Sequence, residues 1–235
     1  MAKLRLGPII RNLRGKWAGT VVQGGRDGLI TREDVTPKNP RTDAQVAVRA
    51  NFAKAASLFS NFNPSQAGQW NLYATTIERM NRVNGRKNNP TGFNVFTELT
   101  AKYLQVNPTG TPPSTPPTSA FGGDDVKFTL TASTGKLTFT ADKPNASGVT
   151  TELLIQRLAS GNRKPASNGY RTNQFFQFQT GSLSRDVALL PGNYAAAIRF
   201  VNKNTGQAGP LVPLTKAVIS FAVEEGGTKS QKKAA

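Results

Sequence analysis

The residues able to do chemistry in this chain are carboxylates, and they are few. Glu33-Asp34, Asp124-Asp125 and Glu224-Glu225 are its adjacent acidic pairs, the raw material for a glycosidase-like or hard-cation site. In extended backbone neighbouring side chains leave on opposite faces, so none of these pairs converges on one substrate or ion. His and Cys are absent. That removes the commonest general base, the thiol nucleophile and the preferred ligands of zinc and copper, and it rules out disulfides. Gly24-Gly25-Arg26-Asp27-Gly28 resembles a phosphate loop only in its glycines. It lacks the lysine–hydroxyl pair and leads into a β-prone run, where a phosphate loop must open a helix, so it reads as a turn. The expectation is a protein that is not an enzyme, with no cofactor, no metal and no small-molecule substrate.

What the chain has in excess is positive charge. Thirty Lys+Arg stand against 13 Asp+Glu, a net charge of +17. Such a balance favours a polyanion or an acidic protein surface as partner. The excess gathers ahead of the first expected helix, at Lys3, Arg5, Arg11, Arg14, Lys16, Arg26, Arg32, Lys38 and Arg41. These nine are the candidate contact residues, the arginines being suited to bidentate phosphate or carboxylate contacts. No zinc-finger or RNP-like aromatic motif accompanies them, so nothing reads nucleic-acid sequence, and phosphate and an acidic protein neighbour fit equally. Like charges crowd residues 3–16 with few apolar neighbours, which predicts an arm that orders only against its partner. The lysine-bearing tail, 226–235, is expected to be disordered. No apolar run approaches the ~20 residues of a membrane span. Arg11 and Arg14 break the N-terminal apolar stretch before a signal-peptide core forms, which predicts synthesis in the cytoplasm without an export signal.

Trp17–Gln23 and Leu29–Arg32 are β-prone runs separated by the glycine-rich turn, a β-hairpin. Thr42-Asp43-Ala44-Gln45 reads as a capping box, and behind it Gln45, Val48, Phe52, Ala56 and Phe59 keep helical spacing. Asn63-Pro64-Ser65-Gln66 repeats the start signal. A second stripe follows through Ala67, Trp70, Ala74, Ile77 and Met80, with an end expected near Asn84-Gly85 and Trp70 in the core. A third helix is expected from Gly92, carrying Phe93, Phe96, Leu99 and Tyr103. Composition then changes across residues 107–119, which include Pro112-Pro113 and Pro116-Pro117 and are otherwise small and polar. Such a stretch predicts an extended, semi-rigid linker. Beyond it the hydrophobic period becomes two. Strands are expected at 128–132, 136–141, 151–158, 175–180, 184–189, 194–202 and 217–223, the number of an antiparallel sandwich.

The layout is therefore two domains. Residues 1–106 form a small α+β module of a hairpin and three helices, 107–124 the linker, 125–225 an all-β sandwich, and 226–235 the tail.

Leu190-Pro191-Gly192-Asn193-Tyr194, continuing into Ala195–Arg199, resembles the tyrosine corner of fibronectin type III and related immunoglobulin-like domains. The resemblance covers about residues 125–225. It implies Leu153–Arg157 as a central strand and Val201–Gly206 as the turn toward the last strand. The usual core Trp of the second strand is missing, so Phe128, Leu137 and Phe139 must fill its volume. Residues 1–106 are similar to uncharacterised modules of predicted bacteriophage structural proteins, on Leu13–Gly19, Asn39-Pro40-Arg41-Thr42, Gln45, Arg49, Phe52 and Trp70. That similarity implies a virion setting and no catalytic residues. The functional expectation is a structural and assembly protein of a phage-like virion, docked through its basic N-terminal module and projecting the sandwich. Its partners would be other virion subunits, copies of itself included. The alternative is a sequence-nonspecific nucleic-acid-binding or packaging protein using the same basic residues.

Overall fold

A computed structural model describes residues 2–4, 14–25, 28–36, 39–80 and 87–219. The chain divides into two compact units, Met1–Val46 and Ala47–Ala235. The division falls at the start of the first helix, and the Pro-rich segment lies within the second unit.

The first unit is one antiparallel sheet. β1 (Ala2–Leu4), β2 (Gly15–Trp17), β3 (Thr20–Gly25) and β4 (Gly28–Glu33) lie in the order β1-β4-β3-β2. Its centre is the expected hairpin, with Gly25 opposite Gly28. A second tight hairpin joins β2 to β3 through Ala18-Gly19, both at positive φ (47° and 74°), as the right-handed strand twist demands of a two-residue turn. The expected arm is corrected at both ends. Lys3 and Leu4 pair with Ile30 and Leu29, and Gly15 and Lys16 belong to β2. Backbone pairing along the open edges of the hairpin gives these residues partners that charge crowding alone does not reveal.

The second unit opens with α1 (Asp43–Ser60), α2 (Pro64–Thr75), the two-residue strands β5 (Arg79–Met80) and β6 (Lys87–Asn88), and α3 (Gly92–Val106). The α2 start is a complete capping box: Gln66 N donates to Asn63 Oδ1 at 2.8 Å and Asn63 N to Gln66 Oε1 at 3.1 Å. Ala55, Trp70, Ala74, Val95 and Phe96 form the buried cluster between the helices, with Phe59, Phe62 and Leu99 against it. The apolar stripe of α1 runs past this cluster, leaving Val46, Val48 and Phe52 exposed. α2 ends earlier than its stripe suggests. The hydroxyls of Thr75 and Thr76 donate back to Leu72 O and Tyr73 O, and Asn89 Nδ2 caps Thr75 O and Ile77 O. Ile77 and Met80 are thus outside the helix, Met80 in β5.

The Pro-rich segment has no regular element, as expected, but it is packed down. Pro112 is buried. Trp70 Nε1 donates to Ser114 O at 2.8 Å and Gln207 Nε2 to Ser119 O at 2.9 Å. Proline lacks a donor of its own, and here side chains from α2 and the sandwich satisfy neighbouring carbonyls.

Seven strands form: β7 (Phe128–Ser133), β8 (Lys136–Ala141), β9 (Val149–Leu158), β10 (Arg171–Phe176), β11 (Ser184–Ala188), β12 (Gly192–Asn202) and β13 (Val212–Ile219). They make a β-sandwich with sheets ordered β11-β8-β7 and β10-β9-β12-β13. Five lie close to their expected places, but β10 ends at Phe176, so the expected strand at 175–180 is corrected to 171–176, and β13 begins at Val212, ahead of the expected 217, with 220–223 outside the described residues. Leu137, Phe139, Phe178, Leu153 and Ile198 centre the core, with Phe128 partly buried, so the missing Trp volume is filled largely as anticipated. Tyr194 Oη donates to Leu190 O at 2.8 Å, the tyrosine corner.

Candidate functional site

Strand register sorts the N-terminal sheet into two faces. Lys16 lies opposite Val21 and Val21 opposite Arg32, which brings two of the nine candidate residues to one face. Lys3 occupies the register position opposite Ile30. The other face carries Trp17 and Thr20, paired with each other, and Gly15 opposite Val22. Because Gly15 adds no side chain, a hollow of about 330 Å3 opens beside the Trp17 indole, lined also by Arg14, Lys16, Thr20 and Val22. The Arg14 guanidinium lies about 3.1 Å from where a Cβ on Gly24 would stand. Lys16 is bound at 3.0 Å to Asp34, a solvent-exposed pair worth little by itself. Arg41 is outside the sheet, exposed and at φ 49°, just before α1. Arg5, Arg11, Arg26 and Lys38, and the tail 226–235, lie outside the described residues.

Trp17 is the residue that sequence reasoning passed over. It is 84% exposed. The available signal was local: at strand spacing Trp17 is flanked by Gly15 and Gly19, neither of which has a side chain to cover it. Among residues 14–24, 29–36 and 39–46, whose burial is described, none is buried.

The carboxylate pairs are engaged in structure. Asp34 holds Lys16, and Asp124 accepts from Ala146 N and Asn145 Nδ2. Asp125 binds Lys143 at 2.8 Å, and that hydrogen bond holds its carboxyl below the usual range while raising the Lys143 ammonium above its own. Glu224-Glu225 lies outside the described residues. Among those described, no three His, Cys, Asp or Glu side chains gather to hold a metal ion, and no helix is long and apolar enough to cross a membrane.

The second unit contains a buried ion cluster that crosses from helix to sandwich. Glu152 on β9, 1% exposed, accepts from Lys102 Nζ of α3 at 3.0 and 3.1 Å and from Thr172 Oγ1 at 2.5 Å. Arg199 Nη1 on β12 stands 4.0 Å away. Both faces of β9 are consequently buried over Val149–Ile155, which an isolated sandwich strand would not require.

The strands of this half form a β-sandwich of two antiparallel sheets, closed at one corner by the Tyr194–Leu190 hydrogen bond. Solved structures similar to the chain include the fn3 domain of human contactin 1, at 10% identity and a TM-score of 0.30, covering 50% of this chain and 99% of that one. Another is the fibronectin type-III domain of human fibronectin type III domain containing protein 3, at 14% identity and a TM-score of 0.29, covering 47% and 100%. No family model matches the chain and no curated protein does.

Proposed function

We propose that this chain is a non-enzymatic structural and assembly protein of a phage-like virion, docking through its N-terminal sheet and presenting the sandwich. The observation that carries the reading is the four-stranded sheet of the first unit, with none of residues 14–24 and 29–36 buried and Trp17 open to solvent. A sheet without a second layer lacks the apolar burial that stabilises a domain, so a neighbouring surface must supply it. The exposed Val46, Val48 and Phe52 of α1 support the same reading. Partners would be other virion subunits, copies of this chain among them, with the virion as its location. The test is copurification. The wild-type protein is expected in purified particles, and Trp17→Ala is expected to be lost from them while melting normally. A soluble monomer absent from every particle fraction overturns the proposal.

One observation favours a second reading, sequence-nonspecific nucleic-acid binding: Lys16 and Arg32 share a sheet face in a chain of net charge +17. If about six phosphates are neutralised, affinity should fall on the order of a thousandfold between about 50 and 200 mM salt. A flat salt dependence removes this reading.

A further inference from the structure

A cleft of about 270 Å3 lies within the second unit, where α2 and α3 meet the turn between β12 and β13. Ile77, Leu99 and Phe121 are among its apolar lining, and Lys102, Arg199 and Gln207 among its polar lining. Gly206 fixes its shape: at φ 75°, a Cβ there would stand 2.1 Å from Leu99 O, so the turn is pressed directly onto α3.

The charges around the cleft do not cancel. On its rim Glu98 is paired with Arg79. Behind it Glu152 offers one negative charge to two cations, and Lys102 takes both of its oxygens. Arg199, at 4.0 Å, is beyond hydrogen-bond reach of that carboxylate, and its buried Nε has no partner. The Arg199 side chain is nonetheless 30% exposed. Arg199 lines the cleft, and the guanidinium's fork of donors matches a planar carboxylate. One positive charge in excess suits a monoanion better than a phosphate dianion. The volume lies just under the range of about 300–1,000 Å3 common for small-molecule sites, so the ligand must be compact.

We propose that this cleft binds a compact amphipathic carboxylate, its head on Arg199 and its aliphatic body against Ile77, Leu99 and Phe121. The source is either a free branched-chain acid or the C-terminal residue of another polypeptide. The proposal does not depend on the docking role of the N-terminal sheet.

The experiment titrates the full-length protein with N-acetyl-leucine, with its neutral analogue N-acetyl-leucinamide, and with an acetylated pentapeptide ending in leucine, followed by NMR shifts and calorimetry. The acid should bind with a dissociation constant around 1 mM and the amide at least about tenfold more weakly. Arg199→Gln should erase the difference between acid and amide. Ala120→Trp, at an exposed residue lining the cleft, should block both ligands without touching the ion cluster, which keeps the test valid if Arg199→Gln fails to fold. A peptide binding more tightly than the acid identifies a polypeptide C-terminus, and equal affinities identify a free acid. Equal binding of acid and amide to the wild type, no shift at 20-fold the expected constant, or unchanged binding in Ala120→Trp overturns the proposal.

Discussion

Two tryptophans in this chain meet opposite fates, and each has a measurable consequence. Trp70 is 2% exposed, packs edge-on to Phe96 at 5.0 Å and gives its indole hydrogen to Ser114 O. Trp70→Ala should cost about 3–5 kcal/mol in urea denaturation, from lost burial and an enlarged cavity. Trp17→Ala should change the same midpoint by less than about 0.5 kcal/mol, because no packing is lost. Trp70 was legible because it sits in a helical stripe with Ala67 and Ala74. Trp17 was legible only through its flanking Gly15 and Gly19, because exposure leaves no periodic trace. Asp186 gives a test of sign. Hydrogen bonds from Lys136, and then Thr138, hold its carboxyl below the usual range. A depressed folded-state value means that its contribution is complete above the unfolded carboxylate range and is lost as pH falls through the folded value. Carboxyl NMR should show Asp186 titrating below an unperturbed aspartate, and Lys136→Met should move it back up. An unshifted Asp186 would show that the Lys136 contact is not kept in solution.

Among the elements, helix starts were readable and helix ends were not. Asn63-Pro64-Ser65-Gln66 carries its cap in four adjacent residues, whereas the end of α2 depends on Asn89, 14 residues beyond the carbonyl of Thr75 that it caps. The sandwich strands were likewise visible as alternation, but β9 showed no hint of what covers its second face. Thr150, Glu152 and Leu154 are buried there, Glu152 beneath Lys102 of α3. A charged residue in an alternating strand ordinarily marks the solvent side, and only the distant lysine reverses that. The turn between β12 and β13 is where this contact is most sensitive. Gly206→Ala should lose about 1–2 kcal/mol from its left-handed backbone alone. The clash with Leu99 O should add to that loss, since a backbone atom of a buried helix cannot step aside. Gly135→Ala, also at φ 74° but with open space around it, isolates the backbone component. Equal losses in the two variants would show that the turn and α3 are not in contact.

For the whole molecule, sequence and structure differ in how the Pro-rich segment is held. Composition places the boundary at residues 107–124, since a stretch of Pro, Thr, Ser and Gly cannot bury apolar area. The segment needs none to be held. Its carbonyls accept from Trp70 and Gln207, Gly110 O receives Lys54 Nζ at 3.4 Å, and Asn107 Nδ2 reaches Lys203 O at 2.8 Å. Each of those partners is tens of residues away, so no window along the chain shows them. On the other side of α1, residues 39–42 are exposed and without regular structure, at the edge of the first compact unit. Proteinase K should therefore cut first around Arg41, leaving a fragment that begins near Ala47 and keeps helices and sandwich together. Residues 107–127 should resist until that fragment unfolds, and the Trp70→Ala variant, which removes the donor to Ser114, should lose this protection first. Mass spectrometry of the early digest reads the result directly. An initial cut within 107–127 that releases a stable sandwich of about residues 125–225 would show that the Lys102–Glu152 and Asn107–Lys203 contacts do not hold the helices to it, and the boundary would return to the Pro-rich segment.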